Sequence, residues 1–240
     1  MDTNLKGKVA IVTGVSHDGQ VGQAVAKALA GQGAALAICA RSESNVQARA
    51  EELRQAGTRV FAFAGSLTDE AQVAKLIDGT VRELGRLDIL VNLAGGLTRY
   101  KPAVEHSLDD WTSELNNNLL SAFLTSRAAF PHLQAAGGGA IINFSRAGQP
   151  QANMVAYNCA KAGIDALTRT FALEGRDAGI RVNAVAPGLV DTSSNVSMMK
   201  PKDLSHWAKR DEIADVVAFL ASPAAAGITG QTIAVTGWGI

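Results

Sequence analysis

Short apolar runs alternate along the chain with longer stretches whose apolar residues recur every three or four positions. "KVAIVT" (8–13) is followed by "VGQAVAKALAGQG", where positions 21, 25, 28 and 29 fall on one helical face. "AALAICA" precedes a polar helix over "NVQARAEELRQAG", closed by Gly57. "RVFAFA" leads into "DEAQVAKLIDGTVRELG", opened by Thr68 or Asp69 as a cap and closed by Gly85. "LDILVN" is a fourth strand. A single long helix is expected over "SLDDWTSELNNNLLSAFLTSRAAFPHL", capped by Ser107, with Asp109 and Asp110 favourable in its first turn. Then come the strand "GAIINFS", the helix "MVAYNCAKAGIDALTRTFALEGRDAG", the strand "IRVNAVAP", the helix "DEIADVVAFLAS" and the strand "TIAVTG".

Most strand runs are almost continuously apolar, as expected of a parallel sheet covered by helices on both faces. The order predicts an α/β fold: one doubly wound parallel sheet of about seven strands, in a single domain spanning 1–240. No repeat, low-complexity tract or linker divides the sequence.

Composition narrows the function. With 240 residues, 47% of them hydrophobic, the chain can bury one full core. Lys plus Arg balance Asp plus Glu at 22 each, so no global field draws nucleic acid or an anionic membrane. Cys39 and Cys159 have no paired ligand spacing, and His17, His106, His132 and His206 are scattered, so a metal site has little support. The first apolar run is too short for a secretory leader, and no run approaches a membrane span. The expectation is a cytoplasmic protein acting on small molecules.

"TGVSHDGQVG" (13–22) sits where open α/β sheets bind ligands, at the carboxyl end of the first strand. The amides opening the next helix favour a pyrophosphate there. The fingerprint G-x-G-x-x-G is absent, so the turn alone is a weak signal.

Further motifs fall at the other strand ends: "VTG" with Gly22, "NLAG" at 92–95, "NNNLLSAF" around Asn118, and "INFSRAG" with Ser145. They continue with "YNCAK" containing Tyr157 and Lys161, "RVNAVAPG" at 181–188 with Thr192 beyond it, and "ITGQTIAVTG". In this order the seven pieces resemble the short-chain dehydrogenase/reductase family along nearly the whole chain, including its 3-oxoacyl-thioester reductase-like members.

The resemblance implies a nicotinamide cofactor and a catalytic set of Asn118, Ser145, Tyr157 and Lys161. Tyr157 would be the general acid or base. Ser145 would hold the reacting oxygen, Lys161 would also fix the nicotinamide ribose, and Asn118 would help hold a relay water. Cofactor contacts are implied for Thr13, Gly14, His17, Gln20, Val21 and Gly22 in the first turn. Later strand ends add Arg41, Ser66, Leu67, Asn92, Ala94 and Gly95, then Pro187, Gly188, Val190 and Thr192, beside Tyr157 and Lys161 themselves.

Elementary chemistry agrees on the central pair. Tyr157 and Lys161 are four apart on a predicted helix and share a face. A phenol titrates near ~10. An adjacent ammonium and a positive nicotinamide ring are expected to lower that value and let it exchange protons near neutrality.

Departures from the family pattern carry information too. The first turn is two residues longer than T-G-x-x-x-G-x-G, which puts Gln20 at the middle glycine position. Its amide is expected to face a phosphate, with Asp18 pointing away. The longer turn resembles that of enoyl-thioester reductases, but those separate Tyr and Lys by six residues. That spacing would need a tyrosine where Met154 stands, so a carbonyl–alcohol reaction is favoured.

Ser66 and Leu67 replace the Asp-Val pair that usually lies by the adenine. Ala40 stands at the position of the acid that selects NAD, with Arg41 next. NADP is therefore expected, helped by His17, with NAD as second choice if Arg41 is only a surface charge.

On the substrate side the candidates are Arg146, Met154, Met198 and Trp207, near Leu97, Arg99, Tyr100, Gln149 and Met199. Arg146 reads either as a partner for a substrate carboxylate or phosphate or as a solvent-facing charge. The methionines read as an adaptable lid or as packing.

Leu119, Leu120, Phe123, Ile164, Leu167 and Phe171 exceed what one sheet face needs. By resemblance they imply a four-helix contact in a homotetramer, or a dimer. A non-catalytic dinucleotide-binding regulator on the same fold is the alternative of another class, and the Ser–Tyr–Lys set argues against it.

Overall fold

In the computed structural model, which describes residues 3–239, Val9–Thr13 (β1) and Ile89–Asn92 (β4) are buried along their whole lengths. Ala35–Ala40 (β2) and Gly139–Phe144 (β5) are buried beyond their first residues. Strands covered on both faces have no polar side to present, which is why these segments are unbroken apolar runs. With Val60–Ala64 (β3), Ile180–Pro187 (β6) and Thr232–Val235 (β7), they form one seven-stranded sheet. Its order is β3-β2-β1-β4-β5-β6-β7, with every pairing parallel.

Alternate side chains feed two cores. Ala10 and Val12 face the core shared with Val21–Gly31 (α1), Glu43–Gln55 (α2) and Arg210–Ala221 (α8). Val9 and Ile11 face the core shared with Glu70–Leu84 (α3), Ser121–Ala135 (α5) and Val155–Gly175 (α6). The strand order reverses between β1 and β4, which opens a crevice at their carboxyl ends.

Asp69, not Thr68, caps α3, accepting the amides of Ala71 and Gln72 at 2.9 and 3.2 Å. Ser107 and Asp110 cap each other reciprocally at the start of Leu108–Leu115 (α4).

The structure corrects the expected long helix after Ser107. Helix α4 stops at Leu115, and a single π-helical turn, Asn116–Leu120, precedes α5. There the Asn118 carboxamide donates to the Glu114 carbonyl at 3.0 Å, in competition with the backbone ladder. A short helix, Ser193–Met199 (α7), was not expected; Thr192 caps it, and it ends at Lys200 with φ 45°.

At the opposite end of the sheet, Asp88 is 2% exposed. It accepts from Lys8 at 3.0 Å, from two nitrogens of Arg86 at 2.8 and 2.6 Å, and from the Val9 amide at 3.0 Å. These contacts tie the amino ends of β1 and β4. Among the described residues no helix is long and apolar enough to cross a membrane. Among the same residues no cluster of His, Cys, Asp or Glu could hold a metal ion.

Candidate active site

Gly14 adopts φ +81°, and a Cβ on it would lie 3.0 Å from the Ala94 Cα. The turn after β1 and the loop after β4 therefore run back to back, an approach only glycine permits. A Cβ on Gly22 would fall 2.5 Å from the Gly14 carbonyl oxygen, so α1 closes tightly on the same turn.

Thr13 fastens this junction. Its hydroxyl accepts the Leu93 and Ala94 amides at 3.0 Å each and donates to the Val91 carbonyl at 3.2 Å. Asn92 is engaged likewise, donating to Ser126 and Asn143 and accepting from Thr125. Both expected cofactor contacts are thus buried framework side chains that shape the crevice from behind.

The crevice has a volume of ≈ 890 Å³. Of the expected residues it brings together Gly14, His17, Arg41, Ser66, Leu67, Ala94 and Gly95. Unforeseen lining residues include Ser16, Ser42, Asn45 and Thr68, with Thr98, Asp109 and Asn116 towards the far side. Ser42 and Asn45 had a legible signal, since Ser42 is the cap of α2 and its side chain accepts the Asn45 amide. The exposed Arg41 carries no ion pair among the described residues, and Asp109, on α4, is the one carboxylate on the lining.

A dinucleotide fits these residues. The glycines admit backbone close to a pyrophosphate, and Arg41, His17 and Ser42 offer donors beside the end of β2.

Gln20 departs from expectation. Its amide donates to the hydroxyls of Ser193 and Ser194, at 2.7 and 2.8 Å, so it ties the turn to α7 rather than facing the crevice. The Ser193 amide and hydroxyl complete this latch on the carbonyls of Gly19 and Asp18. Val21 opens α1 against the core. Pro187, Gly188, Val190 and Thr192 lie off the crevice lining. The Pro187 carbonyl accepts the Ala147 amide, Gly188 packs on Thr236, Val190 bridges to Ala208, and Thr192 caps α7.

Ser145, Tyr157 and Lys161 converge where β5 meets the first turns of α6. The Lys161 ammonium donates to the Phe144 carbonyl at 2.8 Å and sits 5.5 Å from the centre of the Tyr157 ring. The Ser145 hydroxyl donates to the Lys161 carbonyl at 3.3 Å. Asn118, 1% exposed, holds the loop after β4 by accepting the Gly96 amide and donating to the Gly96 carbonyl.

Beneath it lies a carboxylate that the sequence did not reveal. Glu114 is fully buried and accepts the amide and hydroxyl of Thr98, with no ion-pair partner among the described residues.

Burial governs the electrostatics of this cluster. Burial pushes the Tyr157 phenol above its usual range; Arg146 pulls it down and Glu114 pushes it further up. Lys161 is pulled by burial down to about 8, against Asp165 and Glu114. Cys39 is pushed up to about 12 by burial, as suits an inert core thiol.

On the substrate side Arg146 is half-buried, and its Nη1 donates to the Gln149 carbonyl at 2.7 Å. Met154 immediately precedes α6 and Trp207 is half-buried, whereas Met198 and Met199 are exposed on α7. The Lys101 amide donates to the Asn153 carbonyl, joining the loops after β4 and β5. A second groove of ≈ 680 Å³ runs along α5 and α6, lined by Leu119, Phe123, Leu167 and Phe171 among others. Leu120 and Ile164, expected on the same outer face, turn inward to the core.

A family model described as enoyl-(acyl carrier protein) reductase matches residues 14–237. A short chain dehydrogenase/reductase of Aspergillus oryzae is 37% identical over 248 residues, covering 97% of this chain and 94% of that protein. The chain belongs to the short-chain dehydrogenase/reductase family.

Among its relatives are the cis-4-hydroxycyclohexanecarboxylate dehydrogenase of Sinomonas cyclohexanicum and the D-threitol dehydrogenase of Mycolicibacterium smegmatis. The first is 38% identical, covering 96% of this chain and 95% of the relative; the second is 36% identical, covering 98% and 94%. The solved structure of a 7α-hydroxysteroid dehydrogenase complexed with NADH and 7-oxo glycochenodeoxycholic acid superposes with a TM-score of 0.91 at 31% identity. That match covers 99% of this chain and 96% of the other. These family members are oxidoreductases of alcohols and ketones.

Proposed function

We propose that this family member interconverts a carbonyl and a secondary alcohol, with NADP preferred and NAD as second choice. The observation that carries the reading is the meeting of Ser145, Tyr157 and Lys161 at the carboxyl end of β5. A bound nicotinamide dinucleotide supplies the hydride chemistry. The crevice at Gly14, Arg41 and Ser66 would hold its adenosine end, with Arg41 and His17 favouring a 2′-phosphate.

The chain's own residues manage the proton. Tyr157 gives a proton to the carbonyl oxygen in reduction and takes one from the hydroxyl in oxidation. Ser145 holds that oxygen in place. Lys161, fixed on the Phe144 carbonyl, presents positive charge beside the Tyr157 ring and orients the ribose. Asn118 holds the Gly95–Gly96 loop at the far wall and serves the proton relay. Arg146, Met154, Met198 and Trp207 enclose the substrate.

With only two cysteines the sequence has no disulfide framework, and the reading takes a reducing, cytoplasmic setting. The apolar α5–α6 groove supports assembly as a homotetramer, or a dimer.

The test follows nicotinamide absorbance with NADPH and NADH over a panel of substrates. The panel includes 4-oxocyclohexanecarboxylate, a 3-oxoacyl thioester, a tetritol and an enoyl thioester. Turnover of at least one carbonyl or alcohol is expected, with NADPH ahead of NADH, and Tyr157→Phe should lower kcat by about 100-fold or more. Turnover that survives Tyr157→Phe refutes the assigned role. The family model's description favours enoyl reduction as a second reading, and turnover of the enoyl thioester alone would select it.

A further inference from the structure

The Tyr157 phenol feels two fixed charges of opposite sign, Glu114 on α4 and Arg146 in the loop after β5. Glu114 is sealed from ligands, fully buried and engaged with Thr98. Arg146 is not. It follows Ser145 directly and is only half-buried. It spends one donor on the Gln149 carbonyl and has no carboxylate within ion-pair distance among the described residues. Other cations nearby are satisfied: Arg99 and Lys101 share Asp110, and Arg210 pairs with Asp191.

A guanidinium carries five N–H donors in a planar fork that matches carboxylate or phosphate oxygens. Next to Ser145 in the chain and within electrostatic reach of the Tyr157 phenol, it lacks an anion to face.

We propose that Arg146 binds an anionic group of the substrate, a carboxylate or a phosphate monoester, so that the enzyme acts on hydroxy and oxo acids in preference to neutral alcohols and ketones. This rests on the carbonyl–alcohol reading. It also adds a coupling. A bound anion offsets the Arg146 charge that pulls the phenol down, so Tyr157 keeps its proton more firmly once an oxo acid is in place. That is the state from which it donates in reduction.

Matched pairs test the proposal. One arm compares 4-oxocyclohexanecarboxylate with its methyl ester; the other compares dihydroxyacetone phosphate with dihydroxyacetone. The wild type should prefer at least one anion over its neutral partner by about 10- to 100-fold in kcat/KM, mainly through KM. Arg146→Gln should bring that ratio towards unity, and Arg146→Lys should restore part of it. The arm that responds identifies the anion.

With the preferred anion, the alkaline limb of kcat should lie above that of kcat/KM in the wild type and coincide with it in Arg146→Gln. Calorimetric titration of cyclohexanecarboxylate and cyclohexanecarboxamide into the protein with NADP+ reads the same charge without turnover. The wild type should bind the acid more tightly, and Arg146→Gln should lose the difference. No preference for the anion in either kinetic arm, or an anion preference that survives Arg146→Gln, overturns the proposal; where the carboxylate arm responds, equal calorimetric binding of acid and amide overturns it too. If no carbonyl on the panel is reduced, the carbonyl–alcohol reading fails, while the calorimetric difference still decides the role of Arg146.

Discussion

Lys161 pairs an ordinary ammonium with a buried site, and the consequence is measurable. Its folded-state value, about 8, lies below the ~10.4 of a free lysine. Between those values the unfolded chain binds more protons than the folded one, so this group makes stability rise with pH over that window. The full effect is on the order of 3 kcal/mol. Urea denaturation at pH 7 and pH 10 should show the wild type gaining on Lys161→Met as pH rises, while the variant is inactive at both. A stability gap that does not change with pH would contradict the burial of a charged Lys161. The residues at this site were unevenly legible. Tyr157, Lys161 and Ser145 could be read because the motifs that carry them stand in the family's order, with Tyr157 and Lys161 four apart on one helix face. Glu114 could not, because an acid on an amphipathic helix ordinarily faces solvent, and only the fold shows that this one is sealed beneath Thr98.

Between elements, the extra length of the first turn has a visible use. Gln20 reaches across to Ser193 and Ser194 and fastens α7 to the glycine-rich turn. Gln20→Ala should loosen that connection without unfolding the protein, since neutral hydrogen bonds contribute only about 1 kcal/mol each. Limited trypsin digestion should cut several-fold faster within residues 193–209, where Lys202 lies just beyond α7, with the melting temperature nearly unchanged. Equal cleavage of the two proteins would show that the latch does not restrain the segment. The strands were legible because burial on both faces leaves a distinctive composition. Helix α7 was not, because its seven residues make about two turns, too few to show a period. The π-helical turn escaped notice because its apolar spacing continues that of α5. What breaks the helix is a side-chain hydrogen bond from Asn118.

For the molecule as a whole, the parallel sheet separates two kinds of ionic group. The carboxyl ends carry the crevice and the catalytic cluster; the amino ends carry Asp88 with Lys8 and Arg86. Asp88→Asn leaves two water-exposed cations around a buried neutral amide and should lower stability by about 1–3 kcal/mol. At a temperature where the variant stays folded, its kcat should match the wild type. A parallel fall in kcat would show that the two ends are mechanically coupled. The sheet's uniform strand direction therefore has a practical meaning for altering this protein. Substitutions aimed at heat tolerance belong near Lys8, Arg86 and Asp88, where they need not trade against turnover. Substitutions aimed at a new substrate belong on the loops beyond the strands' far tips, where the scaffold beneath tolerates change.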